Sequence, residues 1–286
     1  MPDLGKLLDR VKRLPVIRVI VGVQRRYGRD GAGLLASAIA YHAFFSLFPL
    51  LLVVFSVLGF VLDDPDRQRE VIQELTSAVP GLQPLIGDSI DALVKTRAAT
   101  GVIGILGFLW TGSMVVRAAG HAMLKVFHID VERDNPIKQN LWAFGALATL
   151  AFLALISVGV SFFGSTLPSG NVGSSILLIG VGLGVDLGLF LVAYRVLTRG
   201  AGPSFRAMLP GSIVAAVGWT ILKLIGSWYA RRTVADATAV YGTFAGAVGI
   251  LVMLSLGARF FMVGAVVNAI RTSENQGPAT GRGRAR

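Results

Sequence analysis

The chain has 286 residues, of which 53% are hydrophobic and only 15% charged, and it contains no cysteine. A soluble domain carries roughly a quarter charged residues; here the charges are bunched, leaving long uncharged tracts that a water-facing fold has no way to hide. Disulfides, thiolate metal sites and cysteine nucleophiles are excluded, and the net charge of +11 reads as basic loops held on the cytoplasmic side of a membrane, with no nucleic-acid partner expected.

In chain order, Leu4, Leu7, Leu8, Val11 and Leu14 recur at helical spacing, opposite Lys6, Arg10 and Arg13. That pattern predicts an N-terminal interfacial amphipathic helix on an anionic leaflet, within a basic segment covering residues 1–30. About thirty polar and basic residues precede the first apolar tract, so no cleaved leader is expected and that tract serves as an anchor.

A bilayer core of about 30 Å needs about 20 apolar residues per helical crossing. The uncharged run from Gly31 to Leu62 gives span one, at 34–62, with a kink expected at Pro49. In the loop that follows, Val71, Ile72, Leu75 and Val79 form one stripe, and Leu82, Leu85, Ile86, Ile90, Leu93 and Val94 another. Two short helices are expected there on the extracytoplasmic side. Span two is placed at 98–116, ending at the charge of Arg117. The uncharged tract from Asn140 to Val185 is too long for one helix and is broken by turn residues from Gly164 to Asn171. It yields span three at 141–163 and the start of span four at 175–197; spans five and six follow at 207–229 and 240–270. The expected fold is an all-α, six-span transmembrane bundle over residues 31–271, with a disordered basic tail at 272–286.

Orientation follows loop charge. The segment to Asp30 has eight basic and three acidic residues, whereas the 63–97 loop has four basic and seven acidic. Even-numbered junctions and both termini are therefore expected in the cytoplasm. Lys223, Arg231 and Arg232, on the outer side in this arrangement, run against the rule.

No nucleophile elbow, phosphate loop, zinc helix or dinucleotide fingerprint occurs, so no catalytic residue, metal or cofactor is assigned and the chain is not expected to be an enzyme. The alternating acids Asp130, Glu132 and Asp134 beside Arg133 and Lys138 read as a solvated loop. Ionisable groups at bilayer depth are better signals, because burying them is costly. Asp186 lies near the middle of span four and Arg259 in span six; they form either an ion pair or the lining of a polar path. Arg117, Arg195 and Arg199 are placed to meet lipid head groups. Lys223 is read as snorkelling to the outer boundary beside Trp228 and Tyr229, and Tyr41 and His42 as hydrogen-bonded helix contacts. Gly180, Gly184 and Gly188, spaced every fourth residue, let backbones approach closely, within the chain or between copies.

The stretch Ala36-Ser37-Ala38-Ile39-Ala40-Tyr41-His42-Ala43-Phe44-Phe45-Ser46-Leu47-Phe48-Pro49-Leu50 resembles the opening motif of the YihY/virulence factor BrkB family. The resemblance continues at Gly107-Phe108-Leu109-Trp110-Thr111-Gly112-Ser113, at Leu209-Pro210-Gly211-Ser212, at Tyr241-Gly242-Thr243-Phe244-Ala245-Gly246-Ala247 and at Gly264-Ala265-Val266-Val267-Asn268-Ala269. It implies a six-helix bacterial inner-membrane protein from a family once labelled ribonuclease BN. Some members are linked to serum resistance or envelope lipid export, and there are no agreed catalytic residues to carry over. Val266 departs from the pattern, standing where an acidic residue often precedes the Leu-Asn-Ala ending, and so do Lys125 and Thr198. The expected function is transport or flipping of a lipid or other amphipathic envelope molecule, with membrane lipids as partners. The alternatives are a non-transporting scaffold or regulator of the envelope, acting with a protein partner or as a homo-oligomer, and, disfavoured, a membrane ribonuclease.

Overall fold

The computed structural model describes residues 15–61, 97–130, 135–166, 172–199 and 201–275. These residues form six helices: α1 Pro15–Arg29, α2 Ala32–Val61, α3 Arg97–Phe127, α4 Pro136–Thr166, α5 Val172–Leu197 and α6 Phe205–Asn275. Within them lie six stretches long and apolar enough to cross a membrane: Ala32–Val57, Ala99–Phe127, Ile137–Ser157, Gly180–Leu197, Phe205–Gly226 and Ala247–Ser273. The chain is an all-helical, six-span membrane protein. The Leu4–Leu14 stripe, the two stripes of the outer loop, Glu132 and Asp134, and the tail beyond Asn275 lie outside the described residues.

The polarity of the bundle suits lipid. Exposed positions include Phe48, Ile103, Leu106, Trp110 and Leu155, while the interior is rich in small residues such as Ala32, Ala36, Ala40, Ala119, Ala122 and Ala265. Between helices that already sit in hydrocarbon, association depends on close packing, which small residues permit. The α2–α3 hairpin illustrates this. A methyl group on Gly104 would lie 2.9 Å from the Val53 backbone nitrogen, and one on Gly107 would lie 3.1 Å from Pro49 Cβ. The same test on Gly101 runs into Ser56. Partner numbers fall on α2 as they rise on α3, so the two helices are antiparallel, and the first two family motifs meet at Pro49 and Gly107. Further along α3, Gly112 faces Leu147 and Gly120 faces Trp142 of α4.

Two elements are longer than the sequence suggests. Helix α3 continues past Val116 to Phe127, because Arg117 does not end it. That side chain lies back along its own helix, with Nε donating to the Ser113 carbonyl at 3.3 Å. Helix α6 spans Phe205 to Asn275 as one element. A straight rod of that length would extend about 105 Å, yet Gly211 contacts Gly264 and Asn268, Gly218 contacts Phe260, and Gly226 contacts Met253. The chain must therefore reverse between Gly226 and Met253, giving two antiparallel spans.

One end of the bundle is tied together by charged groups. Arg26 of α1 gathers three elements at one end: its guanidinium donates to the Val126 carbonyl and the Ser273 hydroxyl, each at 3.3 Å, and lies 3.4 Å from His128 Nδ1. Asp30, in the turn between α1 and α2, receives Arg26 and Arg29, both at 3.4 Å. Gly31 has φ +66°, a conformation that costs a glycine little. The N-terminal helix, the exit of span two and the exit of span six thus share one face.

Candidate functional site

Asp186 sits on α5, about 16 Å of helix from the Leu197 end and about 21 Å from the Val172 end. Its carboxylate is sealed, and its partner is Lys223 of α6, whose Nζ donates to Oδ2 at 2.6 Å. Lys223 keeps 44% of its side chain exposed while Asp186 keeps 2%. The pair is therefore lopsided, with an inward, fixed carboxylate and an ammonium open on one side. An ammonium has three donors, and the bond to Asp186 uses one. Within an apolar bundle an unpaired carboxylate would be costly, so the lysine holds the charged site together.

This corrects one reading of the sequence: Arg259 does not join Asp186; it is exposed on α6 and makes no side-chain hydrogen bond or ion pair among the described residues. Lys223, read as snorkelling to the outer boundary, stands three residues before the end of the apolar stretch Phe205–Gly226 and turns its ammonium to Asp186.

The arginines read as head-group contacts are engaged within the protein. Arg117 Nη1 donates to Asn140 Oδ1 at 2.9 Å and Nη2 to Ser113 Oγ at 3.0 Å, tying α3 to α4. Arg195 donates to the Gly202 carbonyl at 2.9 Å and lies 5.9 Å from the Phe205 ring centre. Arg199 stacks over Trp142 at 4.5 Å, the same indole that covers Gly120. Each bridges elements at the α1 face or fastens the connection between α5 and α6.

The structural residues also divide. Pro49 is packed by Gly107 as described above. Tyr41 is 56% exposed, its ring set against Phe45 at 4.8 Å and His42 at 5.6 Å. Among the described residues neither Tyr41 nor His42 has a hydrogen bond, so they form an aromatic ladder in place of the polar helix contact that was expected. At Gly180, Gly184 and Gly188 an added methyl would meet nothing within 4 Å. The reason is angular: at about 100° per residue these glycines lie opposite Asp186, Ala193 and Leu197, the face α5 buries. The side chains at Tyr241 and Gly242 lie outside the described residues.

One site went unassigned in the sequence although both halves are family motifs. Pro210 lies inside α6 and brings no N–H of its own. The next N–H, that of Gly211, donates to Asn268 Oδ1 at 2.7 Å in a fully buried bond. Close by, Tyr194 is fully buried and donates to the Phe261 carbonyl at 2.8 Å, and its hydroxyl abuts Gly264. The Leu-Pro-Gly-Ser and Asn-Ala motifs thus form one latch joining α5 and both arms of α6. The signal available in the sequence was a buried-type asparagine paired with a proline-glycine break.

Among the described residues no group of three His, Asp or Glu side chains is placed to hold a metal ion. Six long apolar helical stretches with large apolar side chains outward, and glycine-closed helix pairs between them, define an integral, multi-pass membrane protein. The family described as Virulence factor BrkB matches residues 23–286, and the chain belongs to it. Among curated relatives, the putative ribonuclease-like protein YfkH of Bacillus subtilis is 24% identical over 247 residues, covering 82% of this chain and 88% of that one. The inner membrane protein YhjD of Escherichia coli is 23% identical over 244 residues, covering 76% and 70%. The UPF0761 membrane protein MS0032 of Mannheimia succiniciproducens is 21% identical over 253 residues, covering 82% and 83%. No solved structure matches.

Proposed function

We propose that this protein transports or flips a lipid or other amphipathic envelope molecule across a bacterial cytoplasmic membrane, with both termini on the cytoplasmic side. The observation that carries the reading is the Asp186–Lys223 pair, with its carboxylate 2% and its ammonium side chain 44% exposed. A pair serving only to hold helices together gains nothing from leaving one charge open at this depth, and well-packed apolar residues often serve stability as well or better. An open ammonium, held charged by a sealed carboxylate, offers an anionic head group a stopping point between leaflets. On the opposite face of α5 the glycine row leaves space for acyl chains or for a second copy of the chain. The orientation is supported by the basic face formed around Arg26 and Arg29, and the membrane by the similarity to the inner membrane protein YhjD of Escherichia coli.

The test is reconstitution in vesicles carrying fluorescently labelled phospholipid, comparing the natural chain with an Asp186→Asn/Lys223→Met double variant. The expected result is label movement above protein-free vesicles for the natural chain and background for the variant. Equal rates in the two proteins would refute the pathway. Movement at background in both would favour the non-transporting scaffold. Sidedness is read separately from single-cysteine variants, which give a clean signal because the chain contains no cysteine. RNA cleavage is not expected. Neutralising Asp130, Glu132 and Asp134 in an RNase assay checks the older ribonuclease label.

A further inference from the structure

Helix α1 ends at Arg29, and the turn through Asp30 and Gly31 separates it from the first apolar stretch, which opens at Ala32. Arg26 bonds to the Val126 carbonyl and to Ser273, at the ends of the apolar stretches Ala99–Phe127 and Ala247–Ser273. Three span ends meet at α1, so this helix lies at a boundary of the hydrocarbon. At about 100° per residue its circumference divides into three sectors. Val23, Arg26, Tyr27 and Asp30 face the protein, the first and third packed on the core and the other two bonded as described above. Ile20 and Val21, 57% and 40% exposed, face outward with Gln24 and Gly28, and a methyl added at Gly28 would meet nothing within 4 Å. Arg25 and Arg29 fill the third sector, one turn apart on the same side of the helix.

The charges of that sector are largely unspent. Arg29 keeps 69% of its side chain exposed, and Arg25 is exposed and has no polar partner among the described residues. Lys125, in the last turn of α3, adds a third cation, its ammonium 3.9 Å from the place a methyl on Gly31 would take. Asp30, the carboxylate set among them, is buried and already shared by Arg26 and Arg29. A helix surrounded by water has no use for an aliphatic strip beside an arginine pair. A helix lying in the membrane interface uses both, with acyl chains against the strip and phosphates against the cations. We propose that the outward face of α1 docks on anionic phospholipids of the adjoining leaflet, with Arg25, Arg29 and Lys125 meeting their phosphates and Ile20 and Val21 entering the acyl boundary. These residues take the head-group role for which Arg117, Arg195 and Arg199, engaged inside the bundle, are not free. A zwitterionic head group cancels its own phosphate charge, so the preference is for lipids of net negative charge. Nucleic acid is also drawn to a basic face, but it gains nothing from the aliphatic strip.

The experiment uses the full-length protein with one cysteine, Gln24→Cys, at the centre of the outward face, labelled with an environment-sensitive fluorophore. The labelled protein is held in nanodiscs of phosphatidylcholine with increasing shares of phosphatidylglycerol. The emission is expected to shift to the blue as phosphatidylglycerol rises, and to return when salt is raised. The share needed for half the shift should increase about fivefold in Arg25→Gln and about fivefold in Lys125→Gln, the worth of one cation beside an anionic leaflet. The two effects should multiply in the double variant. Arg25→Lys keeps the charge and should stay close to the natural chain, while Val21→Asp should reduce the shift at every composition. Because Arg25 bonds to nothing among the described residues, Arg25→Gln leaves the fold intact and is the deciding variant. An unchanged half-point in the Arg25→Gln/Lys125→Gln double variant overturns the proposal. A label fully shifted in pure phosphatidylcholine also overturns it, leaving an apolar contact. So does a label that responds to a short single-stranded RNA and not to phosphatidylglycerol, which would mark a nucleic-acid face. Neither Asp186 nor Lys223 is altered and nothing crosses between leaflets in this assay, so its failure leaves the transport proposal standing, and the reverse holds too.

Discussion

Replacing Lys223 with methionine tests the lopsided ion pair directly. The substitution keeps the length and apolar character of the stem and removes the charge, leaving the Asp186 carboxylate, 2% exposed, without its partner. Breaking a fully buried pair costs about 3–5 kcal/mol. Here the lysine side chain is 44% exposed and the stranded carboxyl can take up a proton, so the expected loss is about 2 kcal/mol, or about 30-fold in the folding equilibrium. The reverse variant, Asp186→Asn, should cost less, about 1 kcal/mol, because the amide oxygen still accepts a hydrogen bond and the ammonium can turn outward. The double variant should also cost about 1 kcal/mol, well below the sum of the single losses. The assay is equilibrium unfolding in mixed micelles at neutral pH, followed by circular dichroism. The reasoning fails if Asp186→Asn is the more damaging single change, or if the two losses add in the double variant.

Three other outcomes are expected. Gly211→Ala drives a methyl group into the Gly264 carbonyl and Asn268 and should destabilise by about 1–3 kcal/mol, whereas Gly184→Ala, with open space around it, should be neutral or slightly stabilising; thermal melts in detergent separate them. Asn268→Leu leaves the buried Gly211 N–H without its acceptor and should cost about 1–3 kcal/mol, read in the same melts. Arg259→Gln removes the influence that lowers the Tyr27 phenol and leaves burial, which raises it. The Tyr27 ionisation midpoint should therefore move further up, seen as the tyrosinate absorbance lost when Tyr27→Phe is compared in each background. A midpoint that stays put or falls would show that the two groups do not interact.

The crossings were legible because hydrocarbon imposes a length and an absence of charge that one chain displays openly, as in the run from Gly31 to Leu62. What was lost came from charges with local solutions. Arg117 looked like the end of a helix, yet by bonding to Ser113 it neutralises the reason for stopping. Lys223 was read as an anchor near the end of its span, and its contact with Asp186 depends on how α5 packs against α6. Asp186 was recognised as the group to watch, but its partner was sought by charge and depth alone, and only the packing of α5 against α6 selects Lys223 over Arg259. The glycine row of α5 shows the same limit. Spacing identified a small-residue face, while which side of the helix is buried was set by Asp186, Ala193 and Leu197 on the other side.

The glycine contacts within the α2–α3 and α6 hairpins have a mechanical consequence. Where backbone meets backbone, neither arm can slide or tilt without a collision, so each hairpin behaves as a stiff plate. Interiors packed in this way transmit displacement instead of absorbing it, and any change of shape is left to shear between plates. Helix α5 stands against one plate through Tyr194 and Asp186 and shows the other way a ribbon of bare glycine backbone. At Gly180, Gly184 and Gly188 no side chain keeps another helix from the α5 backbone.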